Sequence, residues 1–327
     1  MENFRPAFWL RNPHVQSVLA SSPMRKSTLR RRAQSWLGKS KTLLLNAEGA
    51  QLLAYWTPAT DSQAPLIILI HGWEGTSESG YLLSIANTLI DHGYQILRLN
   101  LRDHDHSHHL NRELFHSCRL DEVVSATSDA LNRIKPAQTA IVGFSLGGNF
   151  TLRVTNALSQ RSQAVNHAVA VCPVLQPADT MQRLETGAKI YHHYFKRKWL
   201  RSINKKMALF PNDYSAIAPK HLRTLGSLTD YFVKHHTDYA NSESYFNGYR
   251  IKAQDFANLS TQIDILMAED DPIINAQLLE ELRPVTNINV TYTRYGGHCG
   301  FIQNAQFDCW ADNFILHCLK KSGLYPK

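Results

Sequence analysis

Ile141-Val142-Gly143-Phe144-Ser145-Leu146-Gly147-Gly148-Asn149 closes an apolar run that begins at Thr139, and it carries a serine with glycine two positions before and two after. A serine hydroxyl is a weak nucleophile until a base takes its proton, and a sharp strand-to-helix turn lifts that oxygen clear of its neighbours. Such a turn strains the backbone at the serine and crowds the helix against the strand, which calls for small residues at Gly143 and Gly147. Residues 149–158 read as the helix leaving the turn, with Gly148 easing its close approach to the sheet. Taken alone, the same pattern is also that of a glycine-rich turn without chemistry. The flanking chain decides between the two.

Upstream, Pro65-Leu-Ile-Ile-Leu-Ile-His71 is a continuous apolar strand of the kind covered on both faces. Residues 79–92 read as a helix, Gly93 as its stop and residues 94–99 as the next strand; residues 120–134 form a helix ended by Pro136. Before these, residues 42–45 and 52–56 read as a hairpin about Asn46-Ala-Glu-Gly49. Downstream, strands are expected over 164–172, 263–268 and 288–292, with helices over 275–282 and 307–320. This alternation predicts an α/β fold with a mostly parallel central sheet flanked by helices. It breaks between 175 and 259, where the chain is helical in character, basic and rich in aromatics such as Tyr191, Phe195, Trp199 and Phe232. We read an inserted helical lid there, a core made of 42–174 and 260–327, and an N-terminal aromatic and basic segment, 1–41, packed on the body.

Charge follows the same division. Residues 1–41 hold nine Lys/Arg against one acid and residues 176–260 thirteen against seven, while the remainder holds thirteen against nineteen. The core is acidic and its additions are basic. The basic faces read as solvated surface, or as a peripheral contact with an anionic membrane. Lys26-Ser-Thr-Leu-Arg-Arg-Arg32 is too short and too poor in stacking aromatics to imply nucleic acid. The five cysteines, Cys118, Cys172, Cys299, Cys309 and Cys318, have neither CxxC pairs nor regular spacing, so neither a disulfide framework nor a structural zinc is expected. With no secretory leader pattern at the start and no apolar run of about 20 residues, a cytoplasmic location is expected.

Two further loops fit a serine nucleophile. Glu269-Asp270-Asp271-Pro272 sets carboxylates directly after a strand, and Gly296-Gly297-His298 sets an imidazole after the next. The order Ser145, Asp271, His298 is that of α/β-hydrolases. His298 would accept the Ser145 proton and return it to the leaving group, and the aspartate would fix the imidazole tautomer. The Asp-Pro-Ile-Ile run favours Asp271 at the start of the turn, with Asp270 the rival. Oxyanion donors would be the backbone N–H groups of Leu146, after the serine, and of Trp73 in His71-Gly72-Trp73-Glu74-Gly75. His71 reads as a buried residue that shapes this loop, and Cys299 as a packing residue. His104-Asp-His-Ser-His-His109, with His116 nearby, lacks tetrahedral zinc spacing, so no metal and no other cofactor is expected.

These motifs, together with Trp9-Leu-Arg-Asn-Pro-His-Val-Gln16, Asn100-Leu-Arg102, Leu114-Phe-His-Ser117 and Asp121, give a chain that resembles α/β-hydrolases. The branch it resembles is that of the bacterial YheT-like hydrolases and the plant and animal Emb8-like esterases. The resemblance covers nearly the whole chain and implies hydrolysis of carboxylic esters, with short- to medium-chain esters or acylglycerols as the substrate class and an apolar acyl group as the recognised part. It also implies that the His-rich stretch is a structured loop beneath the active-site face. Trp73 stands where a smaller apolar residue is common, and Asp103 where glycine is common. An acyltransferase using the same acyl-enzyme and a non-catalytic ligand-binding homologue are the alternatives.

Overall fold

The computed structural model describes residues 3–163, 165–214 and 222–326. Strands β1 (Lys41–Ala47) and β2 (Ala50–Thr57) form the expected hairpin, with Ala47 opposite Ala50. The two connecting residues, Glu48 (φ 48°) and Gly49 (φ 84°), both lie in the left-handed region, the turn whose twist matches that of the strands. Strands β3 (Leu66–Ile70), β4 (Gln95–Leu99), β5 (Thr139–Phe144), β6 (His167–Val171), β7 (Gln262–Ala268) and β8 (Ile288–Thr293) complete one sheet in the order β1-β2-β4-β3-β5-β6-β7-β8. The β1–β2 and β2–β4 pairs are antiparallel, and every pair from β4 through to β8 is parallel. Every residue of β3, β4, β5 and β6 is buried, as strands of a sheet covered on both faces should be, although β4 carries Gln95 and Arg98 and β6 carries His167.

The N-terminal segment folds as α1 (Pro13–Ala20), α2 (Pro23–Arg32) and α3 (Gln34–Leu37). Asn12 accepts the His14 and Val15 N–H groups and Ser22 that of Arg25, each followed by proline at the first helical position. The segment is tied down by Phe4, whose ring lies 5.9 Å from Phe301 and 5.7 Å from Trp310, and by the Trp36 indole N–H donated to Asn87. Helices α4 (Gly80–Asp91), α5 (Leu120–Ile134) and α6 (Leu146–Gln160) follow their strands.

Between β6 and β7 stand α7 (Pro177–Thr186), α8 (Lys189–Leu209), α9 (Leu225–His236) and α10 (Ser242–Asn247), and α11 (Trp310–Lys321) closes the chain. Residues 215–221, inside the stretch read as a lid, and Ala164, the first residue of the expected sixth strand, lie outside the described residues. The helix expected over 275–282 is a 3-10 helix, Ala276–Leu282. The one expected from 307 begins at Trp310, because the left-handed backbone at Phe307 (φ 65°) and a bridge between Ile302 and Cys309 hold the preceding turns. Helix α8 is fastened to the core by Lys206, whose buried ammonium lies 2.7 Å from Asp103 Oδ1. Removing one partner of such a pair costs about 3–5 kcal/mol, because the other charge is left buried and unmatched. Asp103 adopts φ 58°, which accounts for glycine being common at this position. Among the described residues no helix is long and apolar enough to cross a membrane.

Candidate active site

The turn between β5 and α6 is as tight as its glycines require. A Cβ on Gly143 would lie 2.1 Å from Gly147 O, and one on Gly147 would lie 2.2 Å from Ile70 O. Ser145 itself is held at φ 56°, ψ −119°, a strained conformation fixed from outside by its N–H donated to Val171 O at 2.9 Å. Its side chain stands at the C-terminal end of the parallel strands, where the loops after β7 and β8 converge.

Those loops deliver the expected partners. His298 Nε2 lies 2.8 Å from Ser145 Oγ, and His298 Nδ1 lies 2.8 Å from Asp271 Oδ2. The other Asp271 oxygen accepts the N–H groups of Ile273 (2.8 Å) and Ile274 (2.9 Å), so the Asx turn after β7 aims the carboxylate. Asp270 takes a different place: its Oδ1 accepts the Gly297 N–H at 2.8 Å and braces the loop instead of the ring. Burial, together with the neighbouring Asp271 and against the Gly297 hydrogen bond, pushes the Asp270 carboxyl up to about 6. Burial disfavours the charged form of His298, yet Asp271 and the adjacent Cys299 outweigh it and hold the imidazole well above its ordinary value.

Two residues of the N-terminal segment belong to the same construction; the sequence marks Gln16 only as the end of the Trp9–Gln16 stretch, with no role, and does not mark Ser17. The His298 N–H is donated to Ser17 Oγ (2.8 Å), which in turn donates to Pro13 O. Gln16 is fully buried; its amide donates to Leu10 O and Ile302 O and accepts the Ile302 N–H. A Cβ on Gly297, which adopts φ 52°, would lie 2.4 Å from Pro13 O. Helix α1 is therefore the mould of the His298 loop. The available signal was a pair of polar residues inside the apolar stripe of Val15, Val18 and Leu19.

The loop after β3 carries Trp73. Among the described residues, neither the Trp73 nor the Leu146 amide N–H has a protein acceptor, the condition a free donor needs. The loop is positioned by its neighbours: Tyr81 Oη accepts the Gly72 N–H (3.0 Å), His104 Nε2 accepts the Glu74 N–H (3.1 Å), and Lys198 Nζ donates to Glu74 O (2.7 Å). His104 Nδ1 donates to Arg102 O, and His71 donates to Gly72 O while its Nε2 accepts the Leu101 N–H. Both rings are therefore neutral tautomers, and burial pushes the His104 imidazole down to about 4 and that of His71 well below its ordinary value. His108, on Ser202 of α8, is likewise lowered, to about 3. His104 and His108 are thus scaffolding for the Trp73 loop and for α8, whereas His106 and His109 are exposed.

Cys172 and Cys299 lie beside the histidine, and one ligand-type atom from each of Cys172, His298 and Cys299 falls within 4.8 Å of the others. With both nitrogens of His298 engaged by Ser145 and Asp271, the trio offers an ion two thiols and no imidazole. Ser145 opens onto an apolar cavity of about 90 Å³ whose walls include Leu146, Val174, Met181, Trp199, Phe232 and Ile273.

A serine at a strained strand-to-helix turn, bonded to a histidine that is bonded to an aspartate, on a sheet of this order, is the arrangement of the α/β hydrolases. Residues 65–305 match the model of the alpha/beta hydrolase fold family, and the chain belongs to that family. It is similar to the putative esterase YheT of Escherichia coli, 24% identical over 252 residues that cover 75% of this chain and 73% of the relative. It is also similar to the monoacylglycerol lipase of Saccharomyces cerevisiae, 21% identical over 313 residues covering 90% of this chain and 69% of the relative. Among solved structures, a serine hydrolase of Cycloclasticus zankles superposes with a TM-score of 0.60 at 18% identity, covering 88% of this chain and all of that one. An esterase of Pyrococcus furiosus superposes with a TM-score of 0.57 at 15% identity, covering 88% of this chain and 91% of that one. At these identities the superpositions speak to the fold.

Proposed function

We propose that the protein is a serine hydrolase of carboxylic esters, with Ser145, Asp271 and His298 as its triad and the Trp73 and Leu146 amides as its oxyanion donors. The observation that carries the reading is the placing of His298 at 2.8 Å from both Ser145 Oγ and Asp271 Oδ2. His298 Nε2 takes the serine proton as Oγ attacks the acyl carbonyl, while Asp271 holds the tautomer and stabilises the imidazolium. The two amides receive the developing oxyanion. As the tetrahedral intermediate collapses, the acyl C–O bond breaks and His298 gives its proton to the departing alcohol oxygen. A water molecule then repeats the sequence on the acyl-enzyme and releases the acid. The names of the relatives, putative esterase and monoacylglycerol lipase, support the same reaction class.

In this reading α7 to α10 serve as the lid, residues 42–174 and 260–327 as the catalytic core, and residues 1–41 as the clamp on the His298 loop. The apolar cavity takes the acyl group. Its volume is small, about 90 Å³. That favours short acyl chains, and longer ones require the aromatic side chains of α8 and α9 to move. Hydrolysis of p-nitrophenyl esters from acetate to decanoate tests the assignment. The expected result is turnover strongest at short chain length and lost by at least about 10³-fold in Ser145→Ala; turnover that survives the substitution contradicts it.

A further inference from the structure

Ser145 lies between two cavities, one apolar and one of mixed lining that includes charged side chains, not at the end of one. The second, of about 130 Å³, is lined by Lys26, Glu74, Tyr81, Lys198 and His298 among others. Ser145, Trp73 and Phe195 line both. The Trp73 and Phe195 rings, stacked 5.3 Å apart at 7°, form part of the partition. If the protein is an ester hydrolase as proposed above, the chemistry decides which half of the ester enters which chamber. The proton released from Ser145 has to pass from His298 to the departing alcohol oxygen, so the alcohol lies on the His298 side. His298 lines the second chamber and not the apolar one.

Among the described residues neither lysine of that chamber forms a salt bridge. Lys198 Nζ donates to the Glu74 carbonyl oxygen (2.7 Å) and lies 5.0 Å from the centre of the Tyr194 ring, but among the described residues it has no carboxylate partner. Lys26 likewise has no ion pair among the described residues, and Glu78, in the loop before α4, is paired with Arg30 at 3.0 Å. The acid of the chamber, Glu74, is half-buried; desolvation raises its carboxyl to about 7 against the attraction of Lys198, so it is a weak counter-charge near neutral pH. Lys26 comes from α2 and Lys198 from α8, so each basic addition to the acidic core contributes one lysine to the wall of the same chamber. A partly desolvated ammonium is best matched by a carboxylate or phosphate, whose charge-assisted hydrogen bonds are about twice as strong as neutral ones.

We infer that the natural substrate is an ester whose alcohol half carries an anionic group, carboxylate or phosphate, received by Lys26 and Lys198 while the acyl half occupies the apolar chamber. The two lysines are thus specificity-determining residues for the leaving group.

The test compares hexanoate esters of glycerol, glycerol 3-phosphate, 3-hydroxypropanoate and choline, with p-nitrophenyl hexanoate as the reference for the hydrolase reading itself. In the wild type, kcat/KM for the anionic alcohols is expected to exceed that for glycerol by about tenfold or more, with the choline ester slowest. Lys26→Ala and Lys198→Ala should each lower the anionic-to-neutral ratio by about tenfold, through KM, and Lys26→Glu should lower it further. The ratio is taken within one variant, so partial loss of folded protein cancels. Preference for both anionic esters supports recognition of charge alone; preference for the phosphate ester only supports a phosphate. If glycerol hexanoate is cleaved as well as the anionic esters, or the preference survives both alanine substitutions, the inference fails. Ser145-dependent turnover of the p-nitrophenyl ester would then leave the hydrolase reading standing. Turnover of no ester at all overturns both.

Discussion

Two histidine-bearing regions border Ser145, and they have been driven in opposite directions. In the loop after β8, His298 faces a carboxylate at 2.8 Å and a hydroxyl at 2.8 Å, and its imidazole is held above the ordinary range despite burial. In the stretch after β4, His104 faces a carbonyl oxygen and a backbone N–H, and burial lowers its imidazole to about 4. A protonated His104 would point a second N–H at the Glu74 N–H, so its hydrogen bonds are compatible only with the neutral ring. In the proposed mechanism the same side chain is a proton carrier where an anion stands behind it, and it is a neutral strut where only backbone does. The difference lies in the partners and not in the residue type.

The comparison is broken first by removing the carrier. His298→Ala should lower kcat by about 10⁴-fold or more without unfolding the chain, as measured by p-nitrophenyl ester turnover beside thermal melting. Next come the two neighbouring carboxylates. Asp271→Asn should cost about 10²- to 10⁴-fold in kcat because the tautomer is no longer fixed. Asp270→Asn, whose amide oxygen can still accept the Gly297 N–H, should cost less than about tenfold. Equal losses in the two variants would refute this division of labour.

His104→Ala removes the acceptor of the Glu74 N–H and so loosens the loop that carries Trp73. It should lower kcat by roughly 10- to 100-fold, with His104→Gln recovering part of the loss if positioning is the role. The sign of the pH dependence sharpens the contrast. The base must be neutral, so activity should fall as the medium becomes more acid through the His298 pKa, with the limb above the ordinary histidine range. Asp271→Asn should move that limb to lower pH by removing the attraction that favours the imidazolium, whereas His104→Gln should leave it in place. The smallest effect expected is that of Ser17→Ala, about 1 kcal/mol of stability from the lost bond to the His298 N–H, read by denaturant unfolding.

The sheet was readable because its strands are buried on both faces: β3, β5 and β6 are apolar runs bounded by glycine, proline and polar turns, and local pattern is enough to find them. The positions of Ser145, Asp271 and His298 were readable because Ser145 directly follows the buried strand β5 and the other two lie in the loops after β7 and β8, although β8 is only partly buried. What escaped was held by long-range polar contacts that leave no local period. Gln16 and Ser17 meet the loop of His298 across more than 280 residues of chain, and Lys206 meets Asp103 across 103. The histidines of 104–109 could be listed, but only the acceptor or donor facing each ring distinguishes a ligand, a base and a strut. The uneven charge of the sequence was visible as composition; that Lys26 and Lys198 line one chamber required the packing of α2 and α8 on the core.

The most direct test of the central claim is reaction of the purified protein with a fluorophosphonate, followed by intact mass and peptide mapping. One phosphonyl group per chain on Ser145, absent from Ser145→Ala and strongly slowed in His298→Ala, is the expected result. No adduct, or an adduct formed on Ser145 as fast without His298 as with it, would contradict a serine activated by the imidazole it touches.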